Sequence, residues 1–185
     1  MLMALSTSAW TLAELDRLPD DGNKYELVDG ELFVTPAPSP AHERLALVLR
    51  EILSPFVRAE RLGDIYTPRA VVRTDGSEVE PDLMVRPPTP SLPKTWAEMP
   101  TPLLVVEISS RTTRRRDHEQ KRGFYLRIGV AEYWIVDRWS RSILVVRRDA
   151  ADLVAESVLE WRPDGAHQAL NIDVAAYFDE ALGKR

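Results

Sequence analysis

Apolar residues recur along this chain with two periods, and the switches between them mark its elements. Lys24 to Val34 (KYELVDGELFV) alternates apolar and polar on either side of Asp29-Gly30, the pattern of a hairpin with a tight turn. Before it, Thr11 to Leu18 predicts a short helix, with Thr11 and Glu14 at capping-box spacing. After it, Thr35 to Pro40 is a proline-rich connection. Ser39 is then placed to cap a helix with Pro40 at its first position. That helix is expected to run to about Leu53, before Pro55. Its apolar stripe is Leu45, Leu49, Ile52 and Leu53, and His42 falls on the same stripe.

Ile65 to Arg73 and Val79 to Val85 predict two strands around an Asp75-Gly76 turn. Six prolines between Pro87 and Pro102 exclude a helix or a central strand there, so a long surface loop, open to motion, is expected. Leu103 to Ser109 (LLVVEIS) is a continuous apolar run of strand length, the mark of a central strand covered on both faces. A helix follows over Thr113 to Ile128, stopped by Gly129, and then strands at Glu132 to Val136 and Ile143 to Arg147. The tail holds a Pro163-Asp164-Gly165 turn, a further strand pair, and a short helix at Val174 to Phe178. The sum is an α/β fold: a mixed central sheet flanked by helices, in one domain over residues 1–185.

Composition narrows the function. With 24 Lys and Arg against 29 Asp and Glu the net charge is −5, which excludes a uniformly basic nucleic-acid-coating protein. The charge is unevenly placed, however. Residues 111–127 carry seven basic and two acidic side chains, a net of +5, which leaves −10 on the rest. Such a patch suits an anion, including a phosphodiester backbone, although a solvated helix face with ion pairs has the same composition. The absence of cysteine excludes disulfides, cysteine zinc sites, iron–sulfur clusters and a thiol nucleophile. No apolar run approaches a membrane span, and no basic region precedes an apolar stretch at the start. The expected location is cytoplasmic.

Three residues stand out against this pattern. Glu107 interrupts the buried strand, and an ionised carboxylate there costs several kcal/mol unless it is paired or bound to a cation. Asp82 follows Pro81 in VEPDLMV, and the missing N–H of Pro81 points to an edge or bulge; a turn or cap role is the plain alternative. Lys121 shares one helix face with Asp117, Phe124, Tyr125 and Ile128, so it points inward, either into an ion pair with Asp117 or Glu107 or into a site. Two carboxylates on neighbouring strands with one lysine form a cluster suited to Mg²⁺ or Mn²⁺ and to phosphoryl chemistry.

The runs EPDLMV, LLVVEISS and RRRDHEQKRGFYLRIGVAEYWIVD together resemble the PD-(D/E)xK nuclease superfamily. More narrowly they resemble the small bacterial restriction-endonuclease-like proteins known as the Uma family, as do KYELVDGEL and PSPAHERL; the likeness spans Tyr25 to Val146. The resemblance implies a restriction-endonuclease-like core: a helix, a three-stranded sheet carrying the acids, a second helix and a further strand. It implies a metal-dependent DNA endonuclease with Asp82 and Glu107 as acids and metal ligands, the carbonyl of Ile108 as a further ligand, and Mg²⁺ or Mn²⁺ as cofactor. Ser109 stands where the superfamily motif has its lysine, and the resemblance implies that Lys121 supplies it. Glu26, His42 and Tyr125 also match family positions. The first two are expected as auxiliary groups, against a cross-strand pair of Glu26 with Lys24 or Arg17 and a helix-capping His42; Tyr125 fits core packing. Arg111, Arg114, Arg115 and Arg116 are the expected phosphate contacts, DNA is the expected substrate, and a homodimer is the expected assembly. Trp134, Trp139 and Trp161 are candidates for either an interface or the core. The alternative function is a nuclease fold that binds or assembles without turnover.

Overall fold

The computed structural model describes residues 9–110 and 117–184. Its centre is a six-stranded mixed sheet built around β7 (Leu104–Ser109) and β8 (Glu132–Asp137). These two pair in parallel, Leu104 against Glu132 through Ser109 against Asp137, and all twelve of their residues are buried. The apolar run read as a doubly covered strand is therefore the middle of the sheet. On one side β6 (Leu83–Arg86) and β3 (Asp64–Tyr66) add antiparallel; on the other, β9 (Ser142–Val146) and β10 (Leu153–Ala155) do so.

Alternation along these strands divides the core in two. Leu104, Val106, Ile108, Trp134, Val136 and Val145 pack on one face against α2 (Pro40–Ala59) and α4 (Val174–Leu182). The small ribbon of β11 (Val158–Trp161) and β12 (Leu170–Asp173) closes that side. Val105, Tyr133 and Ile135 face the other way, toward Phe124 and Tyr125 of α3 (Arg122–Ile128). A second sheet covers the same side, in the order β2 (Glu31–Thr35), β1 (Lys24–Val28), β5 (Glu78–Val79) and β4 (Val72–Arg73). Helix α1 (Leu12–Leu15) precedes it, with the capping box of Thr11 and Glu14 formed. Trp134 and Trp161 are fully buried and meet edge to face at 5.8 Å, so these two belong to the core. Trp139 is half-buried.

The β1–β2 hairpin turns at Asp29 and Gly30, with φ of 51° and 85°, as a two-residue turn of this hand requires. Four expectations change. Helix α2 does not stop before Pro55 but runs on to Ala59. Pro55 and Glu51, the residue whose carbonyl it cannot bond, both lie on the exposed side of the helix, while Leu53 and Val57 stay buried on the inner face. The stretch read as one strand from Ile65 to Arg73 is split, β3 joining the central sheet and β4 the smaller one. The stretch from Val79 to Val85 is split likewise, at Glu80-Pro81-Asp82. The chain leaves one sheet and enters the other where Pro81 has no N–H to give to a ladder. The proline-rich loop is tied down rather than loose. The buried Arg86 guanidinium donates to the carbonyls of Pro100 and Val71, and Trp96 stacks edge-on against Tyr66 at 5.5 Å. Gly63 is dictated by close approach. Its φ is +107°, and a Cβ there would lie 2.1 Å from the Arg86 carbonyl oxygen.

Candidate active site

The break at Pro81 drops Asp82 between the two sheets, beside the end of β7. Its Oδ2 accepts from the Ile108 N–H at 2.8 Å and from His42 Nε2 at 3.0 Å, and its Oδ1 lies 3.3 Å from Lys24 Nζ. Lys24 opens β1 and also donates to the Glu80 carbonyl at 2.8 Å. His42 stands in the first turn of α2, aimed by the Ser39 cap. Glu107, on β7, is fixed by Lys121 Nζ at 2.7 Å and by the Tyr125 hydroxyl at 2.8 Å, both on its Oε1. Glu26 of β1 completes the group. Its Oε1 lies 2.7 Å from Lys121 Nζ and accepts from the Glu80 N–H at 2.9 Å.

Asp82, Glu107, Lys121, Glu26 and His42 thus converge, although they come from five separate stretches of chain. Lys121 is fully buried on a π-helical turn (Asp117–Lys121) and bridges Glu107 and Glu26. The Tyr125 ring packs on Tyr133 in the core while its hydroxyl holds Glu107, so it serves both. Arg111, Arg114, Arg115 and Arg116 lie outside the described residues.

Asp82 and Glu107 form the floor of a cavity of about 590 Å³, which Lys24, His42, Asp117 and Arg138 also line. The lysine that opens onto this cavity is Lys24; Lys121 sits behind Glu107. Lys24 and Arg138 were not singled out from the sequence. Lysine at a strand start reads as solvated, and only the stacking of the second sheet on the first turns Lys24 inward. The spacing of Lys24 two residues before Glu26, on the same hairpin face, was the one available signal.

The electrostatics follow from burial. Burial alone raises a carboxyl, but Lys24, His42 and the Ile108 N–H outweigh it at Asp82 and hold that acid well below its ordinary range. At Glu107 burial wins. With Asp82 and Glu26 nearby it pushes the acid up to about 7, even against Lys121 and Lys24. Burial works against charge on Lys24 too, yet Asp82, Glu26, Glu107 and Glu80 raise it well above the usual lysine range, so it stays an ammonium. The same contest at His42 is decided by the Asp82 bond, and its pKa rises.

Among the described residues no three His, Asp or Glu side chains form a group that holds a metal by themselves. The donors present suit an ion that keeps part of its water shell: two carboxylates on one cavity floor, one of them reluctant to ionise without a further cation. Mg²⁺ binds in this way, through one or two carboxylates and retained waters.

The family called Uma2, described as "Putative restriction endonuclease", matches residues 12–182. The chain belongs to the Uma2 family. A solved structure titled as that of a "putative nuclease belonging to DUF820 from Anabaena variabilis ATCC 29413" superposes with a TM-score of 0.77. The match covers 94% of this chain and 99% of that one at 18% identity, which establishes a shared fold. No curated protein matches the sequence. The nuclease-fold expectation therefore holds for this Uma2 protein, with its mixed sheet, flanking helices and N-terminal hairpin. No helix among the described residues is long and apolar enough to cross a membrane.

Proposed function

We propose that this Uma2 protein is a metal-dependent endonuclease that hydrolyses DNA phosphodiester bonds in the cavity between its sheets. The observation that carries this reading is the meeting of Asp82 and Glu107 on one cavity floor, each held by an ammonium group at a stated oxygen. Asp82, Glu107 and the Ile108 carbonyl would hold Mg²⁺ or Mn²⁺. Such an ion, when bound, neutralises charge on the phosphate and acidifies water.

The chain's own residues do the rest. Lys121 and Tyr125 fix the Glu107 carboxylate in one orientation, and Lys121 acts through Glu107 rather than on the substrate. Lys24 remains charged in the cavity and stabilises negative charge developing at phosphorus. His42 orients Asp82 through Oδ2. Water attacks in line, the ester oxygen leaves, and no covalent enzyme intermediate is needed. Arg111, Arg114, Arg115 and Arg116, adjoining the site in sequence, are proposed to hold the backbone. A homodimer with two such cavities would cut both strands.

Purified protein is expected to nick plasmid DNA with Mg²⁺ or Mn²⁺ and to stop in EDTA. Asp82→Ala should lose that activity while keeping its circular dichroism spectrum. Equal nicking by wild type and Asp82→Ala defeats the reading. One observation favours a second reading, a nuclease fold that binds nucleic acid without turnover: each acid already has a lysine partner within the protein. Calorimetry separates the two, because the second reading predicts DNA binding with no uptake of Mg²⁺ or Mn²⁺.

A further inference from the structure

Several described arginines are paired with acids: Arg69 to Asp20, Arg73 to Asp16 and Glu78, Arg122 to Asp152, Arg127 to Asp29, Arg141 to Asp179 and Arg147 to Glu132. Arg50 and Arg138 differ. Both line the cavity, and neither forms an ion pair with a described residue. The Arg138 guanidinium lies 4.4 Å from the centre of the Trp139 ring. Stacking of that kind restrains the plane and leaves the N–H edge open to an anion. Arg50 stands eight residues beyond His42 on α2, a rise of about 12 Å, or three to four stacked nucleotides. Part of the cavity wall is apolar. Pro36, Ala37 and Pro38 come from the connection after β2, and Ala46 and Leu47 from α2, with Leu47 41% exposed.

Two cations and an apolar patch lining one cavity match a strand that offers both phosphates and uncovered base faces. A duplex hides those faces in its stack, whereas a single strand presents them. The acids at the floor point the same way. Asp82 and Glu107 are only 5% and 2% exposed, so the scissile phosphate must enter the cavity and not merely rest on its rim. Charge agrees as well. The protein carries a net −5, and a single strand has about half the linear charge of a duplex, which has one negative charge per ~1.7 Å.

We infer that the cavity takes single-stranded DNA, its phosphates held by Arg50 and Arg138 and its bases against the Pro36–Pro38 and Ala46–Leu47 wall. This inference rests on the nuclease reading for its choice of DNA, but it is tested by binding alone. Fluorescence anisotropy of the full chain in EDTA would compare one labelled oligonucleotide free and annealed to its complement. The free strand should bind at least about tenfold more tightly. Arg50→Ala and Arg138→Ala should each weaken it about five- to tenfold, and each should reduce the salt slope by about 0.7. Arg50 is exposed and Arg138 half-buried, and neither is paired with an acid among the described residues, so unchanged melting temperatures are expected to accompany the loss. Leu47→Asp should weaken single-strand binding and leave duplex binding as it was.

Equal or tighter duplex binding overturns the inference, as does wild-type binding by the Arg50→Ala/Arg138→Ala double variant, or no binding of either form. Cleavage of duplex DNA in Mg²⁺ by a protein without single-strand preference overturns it and leaves the hydrolase reading standing. Single-strand binding through both arginines by a protein that hydrolyses nothing sustains it and removes the hydrolase reading.

Discussion

Replacing Glu107 by glutamine should make the metal-free protein more stable at pH 8. Glu107 is 2% exposed, and its carboxyl is pushed up to about 7 from an ordinary 4.5. An acid raised on folding holds its proton more tightly in the native state. Its contribution to stability is therefore complete below 4.5 and lost as the pH rises through 7. At about 1.4 kcal/mol per pH unit, that loss is about 3 kcal/mol. Glutamine imitates the protonated acid and keeps an oxygen for Lys121 and Tyr125, so it escapes the loss. Lys121, the buried ammonium at Glu107, is not left unpaired by the change, because Glu26 Oε1 also lies 2.7 Å from it. Asp82 titrates below the window, and His42, also raised, changes in both proteins alike. Urea unfolding in EDTA should show the two proteins within about 1 kcal/mol at pH 5. At pH 8 the variant should lead by about 3 kcal/mol, a gain of roughly 6–12 °C in Tm at this chain length. Mn²⁺ at about a hundred times its Kd should stabilise wild type by about 2.7 kcal/mol and leave Glu107→Gln unmoved. A variant less stable than wild type at pH 8, or a gap that ignores pH, would refute the reasoning.

Further outcomes follow from the same structure. Gly63→Ala should lower stability by about 3 kcal/mol or more, because its Cβ meets backbone at 2.1 Å and its φ is +107°. Gly22→Ala, with φ +87° but nothing within 4 Å, should cost only about 1–2 kcal/mol; equal losses in urea melts would contradict the packing argument. Lys24→Met should reduce plasmid nicking about 10²- to 10³-fold, the scale of losing one charged stabiliser, and wild-type nicking would remove Lys24 from the mechanism.

How much of this was legible beforehand depended on whether the determinant was local. The β1–β2 turn was readable because Asp29-Gly30 is the chemistry a two-residue hairpin needs, and β7 because six consecutive residues tolerate no water. Lys121 was readable as an inward lysine because Phe124 and Tyr125 fix which way its helix faces. Lys24 was not, since its direction is set by the sheet that its own hairpin forms with β5 and β4, far along the chain. The division of residues 79–85 was half visible. Pro81 signalled a fault, but which sheet each half would join depends on β1 and β7, far away in sequence. The extension of α2 past Pro55 turned on which side of the helix met water, a property of the packed molecule. Arg50 and Arg138 could not be told from other surface arginines until the fold placed them in the cavity lining with no acidic partner among the described residues.

The claim on which the function stands is that Asp82 and Glu107 share one cation within the cavity. Anomalous diffraction from a crystal soaked in Mn²⁺ tests it most directly. The account predicts a peak coordinated jointly by carboxylate oxygens of Asp82 and Glu107, with Lys24 Nζ displaced from the 3.3 Å contact it makes with Asp82 Oδ1. A cavity without a peak, with Lys24 still paired to Asp82, would contradict it.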